Sequence, residues 1–295
     1  MQRLLLVPAV GVILLLCSSL QASQAAPAKA LATLSYRPDG KLISLPVTVN
    51  GTSQAWFTLD SGARHTVVDP RLARALGLNT KATTRMRGTG AGDVPVTTLS
   101  AITLSFGQVK FAVDEPWMID LKDVPIKKDI RGLVGEDLLA RYVVAIDPER
   151  HTLALYDPDA EIPFRQYCVP LIAKDGRLFV DATLRVRPDL TVTHRLRVDT
   201  GSEDSVNDPI VGEARLTHKT VVGNGLGKNF TAPSGVYESV TLGPYSWRRV
   251  WGPGAPGPAI GMELLRRFFL LFDVPHGRLC LTPNTQLNAA VPPPD

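Results

Sequence analysis

The chain is dominated by alternating apolar and polar positions that predict β-strands. Residues 42–49 alternate in this way, Asn50 and Gly51 follow, and a second apolar segment then runs up to residue 60. Alternation with a period of two buries one face of a strand, and Asn-Gly between two such segments is a strong hairpin signal. Residues 169–199 repeat the pattern, whereas helical patterns are few and short. The sequence therefore predicts a mainly β protein.

In each copy the strand pattern leads on to the same kind of tripeptide. The two copies, Asp60-Ser61-Gly62 and Asp199-Thr200-Gly201, lie about 139 residues apart. Glycine permits the backbone angles of a tight turn, and the Asp lies at the bend. One such tripeptide is a common turn. Two copies that face each other would form an acid–base pair able to drive water onto a peptide carbonyl.

Further elements repeat at matching distances after each Asp. An Asp-Pro pair nine residues later predicts the start of a short helix, since Asp caps helices and Pro suits their first position. An apolar-apolar-Gly element then ends at Gly135 in the first copy and at Gly261 in the second. These copies predict two lobes, residues 32–160 and 161–283. A duplication explains them better than a solenoid, which needs more and shorter repeats.

This pattern resembles the retropepsin-like and pepsin-like aspartic proteases, specifically the bacterial aspartyl protease family proteins with two lobes in one chain. The resemblance rests on the Asp-[Ser/Thr]-Gly-[Ala/Ser] motifs at residues 60–63 and 199–202 and on the two later glycine elements. It implies an all-β bilobal acid-protease fold, built from two duplicated retropepsin-like β-barrel lobes. It also implies an aspartic endopeptidase in which Asp60 and Asp199 activate a water at the lobe interface.

The resemblance assigns supporting roles around the two carboxylates and implies neither cofactor nor metal. The residues expected to support the catalytic loops are Ser61, Gly62, Thr200, Gly201, Ser202, Gly135 and Gly261. The Ser61 and Thr200 hydroxyls are expected to bond to the opposite loop, and each later glycine element to close a psi-shaped crossover. Ala63 has no hydroxyl, whereas Ser202 has one that can hydrogen-bond Asp199. We therefore expect Asp60 to carry the shared proton.

Each lobe also has a glycine-rich segment where the family carries a mobile hairpin, the flap. Glycine lets a hairpin tip bring backbone donors close to an extended peptide. Taken separately, either segment fits an ordinary flexible loop equally well. The residues expected to form the substrate-binding flaps are Gly88, Thr89, Gly90, Gly223, Asn224 and Gly225.

The two ends of the chain suggest processing and disorder. A basic start, an apolar run over residues 4–16 and a small-residue stretch predict a signal peptide at residues 1–25, hence a periplasmic or secreted protein. The run is short for a membrane span, so no stable span is expected after cleavage. Lipidation at Cys17 is disfavoured because Leu16 is too large. Residues 284–295 are expected to form a disordered tail.

Cys168 and Cys280 remain after processing. The family fold would bring their strands close. The two cysteines are therefore expected either to form a disulfide or to remain as two buried thiols, and the sequence does not decide between these alternatives.

Other function classes find little support in the sequence. The net charge is only +4 over 295 residues, and the basic residues form no stripe of the kind that binds nucleic acid. The five His residues are scattered without metal-ligand spacing, and no Gly-x-Ser-x-Gly elbow is present. The expected partner is a peptide or protein substrate, and the expected state is a monomer.

Two alternatives remain open. In the first, the chain keeps the fold as a catalytically inactive, aspartic-protease-like peptide-binding module. Asn207, where an apolar residue would be expected, leaves room for this alternative. In the second, a segment before residue 40 blocks the cleft of a zymogen, although that segment carries no basic run suited to covering two carboxylates.

Overall fold

The computed structural model describes residues 28–88, 90–159, 162, 167–222, 226–291 and 293. The strands of its first half are β1 (Ala32–Ser35), β2 (Arg37–Asp39), β3 (Leu42–Val49), β4 (Ser53–Leu59), β5 (Val67–Val68), β6 (Thr80–Arg87), β7 (Asp93–Leu99), β8 (Ile102–Phe106), β9 (Val109–Val113), β10 (Trp117–Met118), β11 (Ile130–Val134), β12 (Val143–Asp147) and β13 (Thr152–Tyr156). Those of its second half are β14 (Tyr167–Pro170), β15 (Ile172–Lys174), β16 (Arg177–Arg187), β17 (Leu190–Asp199), β18 (Val206–Asn207), β19 (Thr217–Val222), β20 (Phe230–Leu242), β21 (Tyr245–Pro253), β22 (Ala259–Gly261), β23 (Phe268–Asp273) and β24 (Arg278–Pro283).

Helices are short in the described part of the chain. They are α1 (Pro70–Ala75), α2 (Glu136–Leu139), α3 (Met262–Leu265) and a 3₁₀-helix (Pro209–Glu213). The predicted all-β fold with short helices and two lobes is confirmed. The predicted signal peptide, residues 1–25, lies outside the described residues.

The two predicted hairpins form around left-handed turns. Asn50 and Gly51 have φ of +50° and +70° between β3 and β4, and Asp175 and Gly176 have φ of +52° and +65° between β15 and β16. Two residues at positive φ match the twist of a β-hairpin, and Asn, Asp and Gly tolerate that conformation best. The local chemistry of these turns therefore sets both hairpins.

Both predicted Asp-Pro pairs begin a helix. The Asp69 carboxylate accepts a hydrogen bond from the Arg71 amide (2.8 Å) at the start of α1. The Asp208 carboxylate accepts one from the Ile210 amide (2.9 Å) at the start of the second. That second helix is 3₁₀ rather than α, so the two copies agree in how the helix begins and differ in its geometry.

Each lobe has its own sheet, and a third sheet joins the lobes. The first lobe's sheet runs in the order β6-β7-β10-β5-β11-β4-β3-β8-β9, with β2 on β3. The second runs β18-β22-β17-β16-β20-β19, with β15 on β16 and β21 on β20. The third runs β1-β13-β12-β23-β24-β14, so each lobe contributes three strands to it. Its central contact is the antiparallel pairing of β12 with β23, where Ala145 lies opposite Leu271.

One buried apolar cluster extends through both lobes. It includes Leu45 and Phe57 of the first lobe, Val198 of the second, and Ile146 and Phe272 of the shared sheet. All five side chains are fully buried. The lobes are therefore attached through a common core, which restrains their relative position.

The tail corrects one expectation. Residues 284–295 were expected to form a disordered tail, and residues 292, 294 and 295 lie outside the described residues. In the described part, Leu287 packs against the main core and its carbonyl accepts hydrogen bonds from Trp247 Nε1 (2.9 Å) and Arg267 Nη1 (3.2 Å). The guanidinium of Arg267, fully buried, also donates to the carbonyls of Ala289 and Ala290. A buried guanidinium needs several acceptors, and the tail backbone supplies them.

None of the helices in the described ranges has the length and apolar character of a membrane span.

Cys168 and Cys280 form a disulfide between β14 and β24, where they lie directly opposite each other. The bond closes a separation of 112 residues that spans almost the whole second lobe. A long closed loop restricts the unfolded chain strongly.

Replacing both cysteines by serine should lower the free energy of unfolding by about 2–4 kcal/mol, because the unfolded chain regains its freedom. Urea unfolding of the two proteins without reductant measures this. Titration of two free thiols in the native protein would contradict the disulfide.

Candidate active site

Each candidate Asp lies where a lobe's central strand meets a parallel neighbour. β11 runs parallel to β4 and β22 runs parallel to β17, within sheets that are otherwise largely antiparallel. In the first lobe the Asp60 amide donates to the Val134 carbonyl (2.9 Å). In the second, Asp199 lies opposite Gly261. The later glycine element thus passes directly behind each carboxylate turn, the arrangement expected of a psi-shaped crossover.

Gly135 and Gly261 are required by close packing rather than by backbone angles. A Cβ at Gly135 would lie 2.7 Å from the carbonyl carbon of His65, and one at Gly261 would lie 2.5 Å from the carbonyl oxygen of Asp204. Real Cβ atoms essentially never make contacts this short. The atoms that the added Cβ would meet belong to the backbone, so they cannot simply rotate away. Any larger residue would push the carboxylate turn out of place.

Reciprocal hydrogen bonds tie the two carboxylate turns together. Thr200 Oγ1 donates to the Leu59 carbonyl (2.8 Å) and accepts from the Ser61 amide (2.9 Å). Ser61 Oγ donates to the Val198 carbonyl (2.8 Å) and accepts from the Thr200 amide (3.0 Å). Both hydroxyl residues are fully buried. Because water does not reach these groups, each lobe supplies the hydrogen-bond partners that the other lobe's turn needs.

The structure brings Asp60 and Asp199 together across this lock. The carboxylate of Asp199 lies on Gly62, where an added Cβ would be 2.7 Å from its Cγ. The carboxylate of Asp60 lies on Gly201, where an added Cβ would be 2.4 Å from its Cγ. Each acidic group therefore packs on the glycine of the opposite turn, and only glycine leaves that space.

Asp60 is in surroundings that favour its protonated form. Burial, followed by the negative charge of Asp199, raises its pKa to about 7, while the positive charge of Arg197 opposes the rise. Its Oδ1 accepts hydrogen bonds from the amides of Gly62 (2.9 Å) and Ala63 (3.0 Å). These donors occupy Oδ1, which leaves Oδ2 as the oxygen available to carry a proton.

Asp199 has a different partner, which the sequence interpretation missed. Its Oδ1 accepts from the Gly201 amide (3.1 Å), and its Oδ2 accepts from Nη2 (2.7 Å) and Nε (3.2 Å) of Arg197. Both side chains of this ion pair are largely buried. Residues two apart on a strand share a face, so an Arg two positions before the Asp was the available signal.

Ser202 does not have the expected contact. Its hydroxyl accepts a hydrogen bond from the Asp204 amide (3.2 Å) rather than bonding the carboxylate of Asp199. The expected proton position on Asp60 agrees with its raised pKa. The physical difference between the two acids comes from burial and from Arg197, not from a Ser202 hydroxyl.

The two glycine-rich segments meet each other. Ala91 and Lys228 form a bridge of two backbone hydrogen bonds (2.7 and 2.9 Å), and the Gly90 amide donates to the Leu226 carbonyl (2.8 Å). A Cβ at Gly88 would lie 2.0 Å from that carbonyl oxygen. The hairpins β6–β7 and β19–β20 thus join at their tips. Of the expected flap residues, Thr89, Gly223, Asn224 and Gly225 lie outside the described residues.

No group of three or more His, Cys, Asp or Glu side chains in the described ranges could hold a metal ion.

Thr200→Val should lower the free energy of unfolding by about 2–4 kcal/mol, because the buried Ser61 amide and Leu59 carbonyl lose their partner. Thr193 pairs only with Thr183 on an exposed surface, so Thr193→Val is the matched control and should change stability by about 0.5 kcal/mol or less. Equal losses in urea unfolding would contradict the role of the lock.

Asp60→Asn should gain stability over the wild type as pH rises. The native Asp60 keeps its proton up to about pH 7, whereas an unfolded Asp loses it near about pH 4. Between these values the native state binds more protons, so the stability of the wild type falls as pH rises, and Asn has no such loss. The difference in free energy of unfolding should grow by about 2–4 kcal/mol from pH 4 to 8.

Asp181 provides the control for this experiment, because hydrogen bonding to Arg195 lowers its pKa. Asp181→Asn should therefore show a small change of the opposite sign, the wild type being favoured above about pH 4. A difference for Asp60→Asn that stays constant with pH would overturn the raised pKa.

Residues 45–138 match the family model for aspartyl proteases. The matched segment contains the first carboxylate turn and the first glycine-rich segment, and it ends shortly after Gly135. None of the curated proteins matches the chain. Over this segment the chain is similar to aspartyl proteases, which supports an aspartic-type peptidase.

Proposed function

We propose that this protein is an aspartic endopeptidase that hydrolyses peptide or protein substrates with Asp60 and Asp199 as its catalytic pair. The observation that carries the proposal is the placement of each carboxylate on the glycine of the opposite turn. The raised pKa of Asp60 supports it further, because a pair that shares one proton needs one acid and one base.

The proposed chemistry assigns separate roles to the two acids. Asp199 takes a proton from a water whose oxygen attacks the scissile carbonyl carbon, while Asp60 gives its proton to the carbonyl oxygen. The proton on Asp199 then passes to the nitrogen as the C–N bond breaks, and Asp60 recovers its proton from a hydroxyl of the tetrahedral intermediate. The reaction needs no co-reactant other than water, and both carboxyl groups return to their starting protonation states.

The hairpin tips suit an extended substrate. Glycines near Ala91 and Lys228 keep the tips slim, and the amides of Gly90, Ala91 and Lys228 donate across the contact between the tips. When the tips separate, these donors become free for an extended peptide. We propose that β6–β7 and β19–β20 act together as the flaps and separate to admit substrate. The disulfide, together with the signal sequence predicted over residues 1–25, supports a periplasmic or secreted location.

A second candidate function is a peptide-binding module without catalysis. The specific observation in its favour is the Arg197 guanidinium, which places two hydrogen bonds on one oxygen of Asp199. In the proposed mechanism this carboxylate must take a proton from water, and a guanidinium bonded to it disfavours that step. In a binding module the same ion pair would only hold the loop.

Asp60→Asn and Asp199→Asn should each reduce kcat/KM about a hundredfold to ten-thousandfold, because each removes one partner of the acid–base pair. The assay is cleavage of a peptide library between acidic and neutral pH, with and without a pepstatin-type inhibitor. Wild-type activity should fall as pH rises through about 7, where Asp60 loses its proton.

Asp181→Asn is the control and should retain cleavage, since Asp181 is exposed and paired only with Arg195. If the wild type binds peptides without cleaving them, and both Asn variants bind equally, the binding module is the correct function and the endopeptidase is not.

A further inference from the structure

The strands beside the two candidate acids carry different side chains at matching positions. In the first lobe Thr58 lies two residues before Asp60 and opposite Ser44 of β3. In the second lobe Arg197 lies two residues before Asp199 and opposite Phe179 of β16. The duplication thus preserves the strand pairing and changes the chemistry next to one carboxylate.

One further step along each neighbouring strand increases this difference. Residue 42, two before Ser44, is Leu, whereas residue 177, two before Phe179, is Arg. Because alternate residues share a face of a sheet, Arg177 and Arg197 project from the same face, diagonally across β16 and β17. The second lobe therefore places two guanidinium groups where the first lobe has uncharged side chains.

A third positive group comes from the first lobe. Arg64 follows the first carboxylate turn and donates its Nε–H to the carbonyl of Asp175, two residues before Arg177 (2.7 Å). Burial, and then the positive charges of Arg197 and Arg64, lower the pKa of Arg177. Arg177 therefore lies close enough to both other groups to be repelled by them, and the Arg64 hydrogen bond makes the three a cluster that joins the two lobes.

Arg177 is the member of this cluster without an acceptor. Arg197 is paired with Asp199, and Arg64 with a carbonyl. Arg177 Nε is shielded from solvent and has no hydrogen-bond partner, and no ion pair joins Arg177 to any of the described residues. A shielded donor that stays unpaired is costly, and a guanidinium matches a carboxylate with two parallel hydrogen bonds.

We propose that Arg177, supported by Arg64, forms a carboxylate-binding subsite beside Asp199, so that the preferred substrates carry a carboxylate close to the scissile bond. This inference rests on the proposed function. The carboxylate is either an Asp or Glu side chain of the substrate or its C-terminus, and both present the same chemistry to Arg177.

The test uses one fluorogenic peptide sequence in matched forms. Glu or Gln is placed at each position flanking the scissile bond, and each peptide has a free or an amidated C-terminus. The wild type should cleave the carboxylate form about tenfold to a hundredfold faster in kcat/KM than its neutral match, as a charge-assisted contact provides. Preference for Glu in amidated peptides identifies a side-chain carboxylate, and preference for the free end alone identifies the C-terminus.

The variant Arg177→Leu introduces the residue type found at position 42 of the first lobe. It should lose the preference by slowing cleavage of the carboxylate peptide, while cleavage of the neutral peptide changes little. Arg177→Lys should keep part of the preference, because the charge remains and the paired geometry does not. Arg185→Leu, on the same strand and paired with Glu238, is the control and should keep the full preference.

Equal cleavage of carboxylate and neutral peptides by the wild type would overturn the subsite and leave the endopeptidase standing. If the wild type cleaves nothing, binding of the same peptides measured by fluorescence anisotropy decides the question. A preference for carboxylate peptides that Arg177→Leu abolishes would keep the subsite while the endopeptidase fails. Equal binding of the matched forms would overturn the subsite.

Discussion

The arrangement of the site depends on the reciprocal hydrogen bonds between Ser61 and Thr200. Each hydroxyl donates to a carbonyl of the opposite strand and accepts from the opposite turn. In a buried place these four groups have no water to bond, so the lock is most stable when both turns are in register. This register puts each carboxyl group on the other turn's glycine, where the negative charge of Asp199 helps to raise the pKa of Asp60.

The rest of the fold supports that register. The shared sheet, with β12 against β23 at its centre, fixes one side of the molecule, and the paired hairpin tips join the lobes elsewhere. The buried Arg267 draws the end of the chain onto the second lobe, and the Cys168–Cys280 bond holds that lobe's first and last strands together. Lobes attached at several separate places have little freedom to shift at the site between them.

The two halves share the strand pairing around each carboxylate turn, and different side chains give them different electrostatics. Asp60 accepts hydrogen bonds from backbone amides only, and burial together with the charge of Asp199 favours its protonated form. Asp199 has a guanidinium bonded to it from the same strand. This asymmetry gives the two acids different surroundings, as the proposed division into a proton donor and a proton acceptor requires. It also makes the second lobe's side of the cleft basic.

The sequence by itself determined the hairpins, the capped helices, the two carboxylate turns and the glycines behind them. These features depend on neighbours within a few residues, through turn angles, capping and the period of two. Only the tertiary structure decided the shared sheet, the contact between the hairpin tips, the packing of Leu287 against the core and the contact of Arg197 with Asp199. The first three join segments far apart in the chain. The contact of Arg197 with Asp199 depends on which acceptor a long side chain reaches. Strand periodicity places the two residues on one face but does not specify that they bond.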